Sequence, residues 1–406
     1  MPTVTSDDIH AARPAVERIA RRTPVLSTRT LSDRVGGTLA LKAENLQRTG
    51  SFKVRGAAAK LDALGADGRA HGVVAASAGN HAQSLAAAAE ALGVHCEVFV
   101  PANAPIAKVD AAAANGAQVH IGGQSLTECL AAADERSRVG GLALVHPFDD
   151  PHVVAGQGTL GLELLEDVED LVRVVVPVGG GGLAAGVAIA VKSRLPHVEV
   201  IGVQAAACAP YPESLRRGEP APVESSLTIA DGIAVKRPGG LTLELLSRWL
   251  DGIVLVEENE IAEAMFVLME RCKLVVEGAG AVGVAALLSG RIETGDEGVT
   301  AAILSGGNVD AGMLASIARR HETLSGRRMV LLTRVGDQPG SLARLLQRVA
   351  AAGANVVDVG HVREGLDLHV RETAIELVLE TRGRAHAASV LAALEDNGYG
   401  AQVINT

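Results

Sequence analysis

Short apolar runs alternate with longer helix-like stretches along most of the chain. Most of these runs are rich in Val, Ile, Leu or Ala, and they occupy residues 72–77, 96–101, 118–123, 143–148, 171–182, 198–204 and 298–308. Near-continuous apolar strands separated by helices are typical of a parallel sheet that is buried on both faces. Several runs end in glycine where a strand passes into a helix, and ligands bind such sheets at that edge. The pattern predicts an α/β fold with a ligand site at the carboxyl ends of its strands.

The pattern changes near the end of the chain. Residues 323–328 interrupt it and predict a linker. Residues 329–406 then alternate strand-like and helix-like segments in the order β-α-β-β-α-β, which is the order of a ferredoxin-like domain. We therefore expect two domains, at residues 1–322 and 329–406. The length of 406 residues also exceeds what one compact core usually holds.

Composition narrows the classes of function. The chain is 48% hydrophobic and 21% charged, which predicts a globular protein, and its net charge of −10 argues against a nucleic-acid or anionic-membrane partner. No stretch has the roughly 18 apolar residues of a membrane span. Charged residues among the first twenty positions argue against a signal peptide. The four cysteines form no CxxC motif, so we expect reduced thiols in a cytoplasmic protein.

One apolar strand is followed by four glycines that open a helix: Gly179, Gly180, Gly181 and Gly182. Residues without side chains let backbone N–H groups converge at a helix N-terminus, and this arrangement favours a phosphate. A flexible turn is the structural alternative. A dinucleotide loop of the GxGxxA type, ending at Ala185, also fits, but the next strand ends at Gln204 rather than at an acid that would bind ribose. A small phosphorylated cofactor fits best.

Lys53 lies in the segment GSFKVRGAA and is one of only seven lysines in the chain. A lysine that acts as a nucleophile must lose its proton, and an apolar or cationic environment lowers its pKa. On this evidence alone, a solvated surface charge is the alternative.

Two further segments follow predicted strands. SAGNHAQS, residues 77–84, enters a helix that Ser77 or Asn80 would cap, and the N–H groups there suit a carboxylate or a ring oxygen. A plain helix cap is the alternative, and His81 is expected to be a structural hydrogen-bonding residue rather than a base. Ser305 follows the last strand of the predicted sheet, at its carboxyl edge.

The segments SFKVRGA, SAGNHAQ, GGGGL and SGGN, in this order and spacing, resemble the fold-type II pyridoxal-phosphate enzymes. The closest likeness is to the threonine dehydratases, also called threonine ammonia-lyases, and it covers nearly the whole chain. It implies a three-layer, parallel-sheet catalytic domain with a smaller mobile subdomain at about residues 45–145. It also implies that the C-terminal segment is similar to an ACT regulatory domain.

The resemblance assigns roles to particular residues. Lys53 is expected to be the catalytic, Schiff-base lysine, with Phe52 against the cofactor ring, Asn80 on the ring hydroxyl and Ser305 at the pyridine nitrogen. The phosphate is expected to bind Gly179, Gly180, Gly181, Gly182 and Leu183. The substrate is expected to bind Ser77, Ala78, Gly79, Asn80 and His81.

The resemblance also implies pyridoxal 5'-phosphate as the cofactor. The implied reaction is β-elimination, which converts L-threonine to 2-oxobutanoate and ammonia. L-serine is expected to react in the same way and to give its own 2-oxo acid. The neutral hydroxyl of Ser305 cannot hold a proton on the ring nitrogen as a carboxylate would, which favours elimination over racemisation. Serine racemases of this fold have a second serine where this chain has Ala78. They also bind a divalent cation through acids at the positions of Gln204 and Pro210. We therefore predict poor racemisation and no metal site.

ACT domains resemble the C-terminal segment at Asp337, Pro339, Gly340 and the residues after them. Asp337, Gly340 and Asn355 are the expected contacts of an amino-acid effector, although a purely structural role for Asn355 stays open. One such unit rarely forms a site alone, which implies pairing between subunits in a homodimer or homotetramer.

Two other readings remain open. One is a β-replacing enzyme of the same fold, such as a cysteine synthase or a threonine synthase. The other is an amino-acid-binding regulator whose enzymatic half is inactive. Lys53, the glycine loop and Ser305 weigh against the regulator, while the ACT-like segment and Ala78 favour elimination over replacement.

Overall fold

The computed structural model describes residues 3–77, 79–102, 104, 106–224, 226–295, 297–363 and 368–404. The chain divides into two compact units, Met1–Val309 and Asp310–Thr406. Within the described residues, no helix has both the length and the apolar character that crossing a membrane requires.

The first unit begins with an N-terminal segment and a small lobe. The N-terminal segment contains α1 (Ser6–Ile19), β1 (Val25–Ser27), α2 (Arg29–Val35) and β2 (Thr38–Ala43). The small lobe contains α3 (Lys53–Ala63), α4 (Gly65–Gly68), β3 (Val73–Ala76), α5 (Asn80–Ala91), β4 (Cys96–Val100), α6 (Ile106–Ala114), β5 (Gln118–Ile121), α7 (Leu126–Gly140) and β6 (Ala143–Leu144).

The rest of the first unit forms the larger lobe together with the N-terminal strands. It contains α8 (Pro151–Asp167), β7 (Leu171–Pro177), α9 (Gly182–Arg194), β8 (Glu199–Ala205), α10 (Tyr211–Arg217), α11 (Gly240–Trp249), β9 (Gly252–Val256), α12 (Glu258–Cys272), α13 (Gly278–Leu288) and β10 (Val299–Leu304).

Two parallel sheets form the framework of this unit, as the apolar runs predicted. The large sheet has the order β1-β2-β10-β7-β8-β9, and every neighbouring pair is parallel except β1 with β2. The small sheet has the order β5-β4-β3-β6 and is parallel throughout. Successive residues Thr300–Leu304 of β10 are all buried, so the large sheet is covered on both faces at this strand.

The strand predicted at residues 143–148 is shorter than expected. Only Ala143 and Leu144 pair as β6, although Val145 N–H still donates to Val74 O. Pro147 has no N–H for a strand ladder, and the chain turns there toward α8, whose N-terminus Asp150 caps. This turn brings Pro147 and Phe148 to the cavity described below.

The second unit contains α14 (Ala311–Leu324), β11 (Arg328–Gly336), α15 (Ser341–Ala351), β12 (Asn355–Val362), β13 (Glu372–Glu380), α16 (Arg384–Glu395) and β14 (Ala401–Val403). Its antiparallel sheet has the order β12-β13-β11-β14, and Leu331, Leu345, Leu377 and Val390 lie in its core. The helix α14 contacts β11 and extends to Leu324, into the interval predicted as a linker. The boundary between the two units, after Val309, therefore lies about one helix before the predicted end of the first domain at residue 322.

Candidate active site

The predicted motifs converge on one cavity of about 350 Å³ in the first unit. Of the predicted cofactor and substrate residues, those that line it are Phe52, Lys53, Ser77, Gly79, Asn80, His81, Gly179, Gly180, Gly181, Gly182, Leu183 and Ser305. Ala78 lies outside the described residues. Ser77, Gly179 and Ser305 follow β3, β7 and β10 respectively, so the cavity lies at the carboxyl ends of strands from both sheets.

Lys53 is the first residue of α3, and its side chain enters the cavity. Its Nζ donates a hydrogen bond to the carbonyl oxygen of Pro147 at 3.1 Å and lies 5.2 Å from the centre of the Phe52 ring. Burial lowers the pKa of Lys53 to about 8, and the carboxylate of Glu277 acts in the opposite direction. A lysine in this environment is partly deprotonated near neutral pH, as a nucleophile or base requires.

The segment that carries Lys53 is hydrogen-bonded to the segment that carries Ser305. Phe52 N–H donates to Ser305 O at 3.1 Å, and Gly307 N–H donates to Gly50 O at 2.8 Å. Ser305 is 3% exposed at the end of β10. These backbone bonds hold the two segments side by side although they are far apart in sequence.

Asn80 is held from two sides at the start of α5. Its Nδ2 donates to Oε1 of Glu277 at 2.8 Å, and its Oδ1 accepts from Nδ2 of Asn308 at 2.8 Å. The amide orientation follows from these partners, because a carboxylate can only accept and an NH₂ group can only donate. Asn80 is therefore a fixed polar group in the cavity wall.

Of the two possibilities left open for the start of α5, a side-chain cap is not the one that the structure shows. Gly79 is the residue that precedes the helix, and no side chain caps it. The hydroxyl of Ser77 instead accepts from Gly79 N–H at 3.2 Å, outside the helix. The N–H groups of the first turn of α5 thus remain at the cavity edge, where the positive end of the helix dipole favours an anion.

His81 is neutral and structural. Burial and the neighbouring Lys53 lower its pKa to about 3, and its Nε2 lies 2.9 Å from the carbonyl oxygen of Val145. A neutral imidazole must donate through Nε2 to bond a carbonyl oxygen, so this ring fixes the loop between β6 and α8.

The glycine loop joins β7 to α9, which begins at Gly182. Gly181 has φ = 92°, in the left-handed region that favours glycine. A Cβ atom on Gly181 would lie 2.1 Å from Oη of Tyr211, and one on Gly180 would lie 2.1 Å from the ring of Phe148. A side chain is therefore excluded at Gly181 by Tyr211, which packs behind the loop, and at Gly180 by the ring of Phe148, which lines the cavity.

The backbone N–H groups of this loop are available to a ligand. Ala185 N–H donates to Gly181 O, the first bond of the helix. Within the described part of the chain, the N–H groups from Gly179 to Ala184 have no protein acceptor. Converging free N–H groups at a helix N-terminus form an anion site.

Sequence reasoning missed three residues at or behind the cavity. Glu277 bonds Asn80 and lines the cavity, and it is the sole charged residue between Lys273 and Arg291, which was a usable signal. Phe148 lines the cavity against the glycine loop, and Tyr211 packs behind that loop. The rarity of aromatic residues in this chain, 2% of the sequence, was the available hint for these two.

Gln204 stands at one of the two positions where acidic residues would be needed to bind a divalent cation, and both ends of its side-chain amide are hydrogen-bonded. Gln204 is fully buried, its Nε2 donates to Val178 O at 3.1 Å, and its Oε1 accepts from Tyr211 N–H at 3.1 Å. Among the described residues, no group of His, Cys, Asp and Glu side chains is arranged to hold a metal ion.

The three expected effector residues lie in the second unit and do not come together. Asp337 pairs with Arg363 at 2.9 Å, and Gly340 precedes α15 with φ = 86°. Asn355 donates to Glu380 at 2.9 Å, beyond the other end of α15. A helix of 11 residues spans about 16 Å, so one copy of the chain does not place these residues in one site.

The chain is similar to known proteins over most of its length. The chain is 45% identical over 401 residues to the L-threonine ammonia-lyase of Thermotoga maritima, covering 99% of this chain and all of that protein. Among solved structures it resembles threonine deaminase isoform 2 from Solanum lycopersicum, with 35% identity, a TM-score of 0.73 and coverage of 78% and 94% of the two chains. Maize serine racemase gives 32% identity, a TM-score of 0.75 and coverage of 80% and 99%. Residues 16–306 match the family described as pyridoxal-phosphate dependent enzymes, and this protein belongs to that family.

Proposed function

We propose that this protein is a threonine ammonia-lyase, which converts L-threonine to 2-oxobutanoate and ammonia and also accepts L-serine. The observation that carries the proposal is the convergence of Lys53, the glycine loop, Asn80 and Ser305 on one cavity. The names of the relatives, L-threonine ammonia-lyase and threonine deaminase, support the substrate.

The residues of the cavity fit pyridoxal phosphate. The free N–H groups of Gly179 to Gly182 and of Leu183 would hold the phosphate, where a Cβ atom on the loop would clash with its packing. Lys53 would carry the covalent link, beside the ring of Phe52. Asn80 and Ser305 offer hydrogen bonds to the ring oxygen and the ring nitrogen.

When bound, pyridoxal phosphate supplies an electron sink for the negative charge that forms at the substrate Cα. The amine of Lys53, once the substrate amine has replaced it in the covalent link, would remove the Cα proton, and a pKa of about 8 leaves a useful neutral fraction at physiological pH. Pro147 O orients this amine through its hydrogen bond at 3.1 Å. The substrate carboxylate is bound at the N-terminus of α5, near Ser77, Gly79 and Asn80.

Ser305 directs the reaction toward elimination. A neutral hydroxyl does not stabilise a protonated ring nitrogen as a carboxylate does, so negative charge at Cα is less delocalised and departure of the β-hydroxyl is favoured. The Cα proton is then not returned, because the β-substituent leaves first.

The second unit is proposed to be an ACT-like regulatory domain, with Asp337, Gly340 and Asn355 as effector contacts. Its β-α-β-β-α-β element order supports this assignment. Because the three residues lie at opposite ends of α15, an effector site would combine residues from two copies, which accords with a homodimer or homotetramer. We also propose that the protein is cytoplasmic.

The experiment is product analysis with purified protein and added pyridoxal phosphate. Incubation with L-threonine is expected to release 2-oxobutanoate and ammonia in equal amounts, and L-serine is expected to react as well. The two competing activities are assayed in parallel, with O-acetylserine plus sulfide for β-replacement and with D-serine formation for racemisation. Cysteine or D-serine as the dominant product, without 2-oxobutanoate from threonine, would refute the lyase.

A further inference from the structure

Tyr211 holds the glycine loop from behind. It is the first residue of α10 and is fully buried, and its Oη donates to the carbonyl oxygen of Gly180 at 2.8 Å. Gly180 and Gly181 line the cavity, whereas Tyr211 packs on the far side of these glycines. The carbonyl of Gly180 therefore points away from the ligand space.

This orientation determines where the next N–H group points. The C=O and N–H of one trans peptide group point in opposite directions. With the Gly180 carbonyl turned toward Tyr211, the N–H of Gly181 is turned toward the cavity. Gly181 reaches this geometry with φ = 92°, and Oη of Tyr211 occupies the space that its Cβ would need.

Tyr211 is itself fixed by a second layer of hydrogen bonds. Its Oη lies 3.1 Å from Oγ1 of Thr242, which is also fully buried. The N–H groups of Gly240 and Thr242 donate to the carboxylate of Asp149 at 3.1 and 3.0 Å. Asp149 follows Phe148, whose ring packs against Gly180, so the same network supports the loop from two directions.

We infer that Tyr211 is a positioning residue for the phosphate: its hydroxyl turns the peptide between Gly180 and Gly181 so that a backbone N–H faces the phosphate oxygens. The inference rests on the phosphate site proposed above. Burial also raises the pKa of Tyr211, so the hydroxyl keeps the proton that it donates.

The test compares ligands with and without phosphate. Cofactor-free wild-type protein and its Tyr211→Phe variant are titrated with pyridoxal phosphate and with pyridoxal, following the visible absorption of the bound ligand. Loss of one supporting hydrogen bond is expected to lower the preference for the phosphorylated ligand by about two- to tenfold, with pyridoxal binding nearly unchanged. The other tyrosine of the chain supplies the matched control, since Tyr399→Phe lies in the second unit and should leave the preference unaltered.

A second variant keeps the test decisive if Tyr211→Phe does not fold. Thr242→Val removes the hydroxyl next to Tyr211 at nearly constant volume and should lower the same preference by a smaller factor. Equal weakening of both ligands, or an unchanged preference in both variants, would overturn the positioning role while the phosphate site stands. If the wild-type protein does not prefer pyridoxal phosphate over pyridoxal, the phosphate site itself is refuted, and the role of Tyr211 falls with it.

Discussion

The amine of Lys53 is governed by two opposing influences. Burial lowers its pKa to about 8, and the nearby carboxylate of Glu277 favours the protonated form. Glu277 also accepts a hydrogen bond from Asn80, so one side chain links the lysine and the amide of the cavity. The protonation state of Lys53 is therefore adjustable through a residue that does not belong to any of the sequence motifs.

Replacing Glu277 tests this influence. Glu277→Gln removes the negative charge that stabilises the lysine ammonium, so the pKa of Lys53 should fall, by up to about one unit. The neutral, reactive form of the Lys53 amine is then populated at lower pH. Competitive labelling of Lys53 in the cofactor-free protein, followed by mass spectrometry across a pH series, measures this directly.

The matched control is Glu260→Gln, on α12, where the carboxylate pairs with Arg291 at the surface. It should leave the labelling curve of Lys53 unchanged. A curve that moves to higher pH in Glu277→Gln would contradict the assigned electrostatics, and an unmoved curve would show that Glu277 is too well screened to matter.

At this scale the sequence predicted the residues that lie within recognisable motifs. Lys53, Asn80 and Ser305 line the same cavity because each lies in a segment that follows the carboxyl end of a parallel strand. Glu277 and Tyr211 could not be found this way. Their importance arises from hydrogen bonds to Asn80 and Gly180 that only the folded chain creates.

The helix α3 is anchored by a buried ionic network two residues after Lys53. The guanidinium of Arg55, 1% exposed, bonds both oxygens of Glu44 and both oxygens of Glu163 at 2.7–2.9 Å. Lys42 completes the network, with Nζ 2.6 Å from Glu163. These contacts tie α3 to α8 and to the turn that follows β2, and so fix the start of the helix that carries Lys53.

Breaking this network should destabilise the first unit strongly. Arg55→Met keeps most of the side-chain volume but leaves Glu44 and Glu163 short of a buried partner, at a cost of about 3–5 kcal/mol. Urea unfolding, followed by far-UV circular dichroism, measures the change. The control Arg18→Met removes a surface pair with Asp62, worth at most about 1 kcal/mol.

A change of less than 1 kcal/mol in Arg55→Met would contradict the assigned role. Such a result would mean that the two glutamates take up protons or rearrange at little cost. Parallel measurement at lower pH distinguishes those outcomes, because protonated glutamates no longer need the guanidinium.

Elements were predicted more completely than their ends. The parallel strands were visible as apolar runs, since both faces of each strand are buried. The strand predicted at 143–148 has only two residues in the structure, because the chain turns toward α8 at Pro147. The sequence left open whether a side chain caps α5, and the structure shows an uncapped start because the Ser77 hydroxyl accepts a local bond from Gly79 N–H.

For the whole molecule, the position of α14 determines where the chain should be cut to separate the two units. A cut near residue 325 would retain this helix, which contacts β11 in the second unit. A chain ended after Val309 follows the division seen in the structure. We expect that shortened chain to retain threonine turnover and to lose any response to added amino acids.

The measurement is the half-saturation by threonine with and without candidate amino acids, for both lengths of chain. Coupling between two sites is typically about 1–3 kcal/mol, so a several-fold shift is expected in the full chain alone. Asn355→Ala in the full chain removes one proposed effector contact while it keeps the second unit, and it should weaken the response without changing turnover in the absence of effector. A shortened chain that responds like the full one would place the effector site in the first unit.

The family and its cofactor, which four short motifs predicted, are confirmed by the match over residues 16–306. The proposed effector site would be formed by surfaces of two copies of the chain, and no local pattern in one sequence records such surfaces. The role of the second unit therefore remains a prediction of the β-α-β-β-α-β element order and of Asp337, Gly340 and Asn355.

The most direct test of the account is to locate the covalent attachment of the cofactor. Purified protein loaded with pyridoxal phosphate is treated with borohydride, which makes the lysine link permanent, and is then digested for peptide mass spectrometry. The account predicts the modification on Lys53, with loss of both the modification and threonine turnover in Lys53→Ala and retention of both in the control Lys192→Ala, whose lysine pairs with Asp251. Specific modification of another of the seven lysines, or threonine turnover that survives in Lys53→Ala, would contradict it.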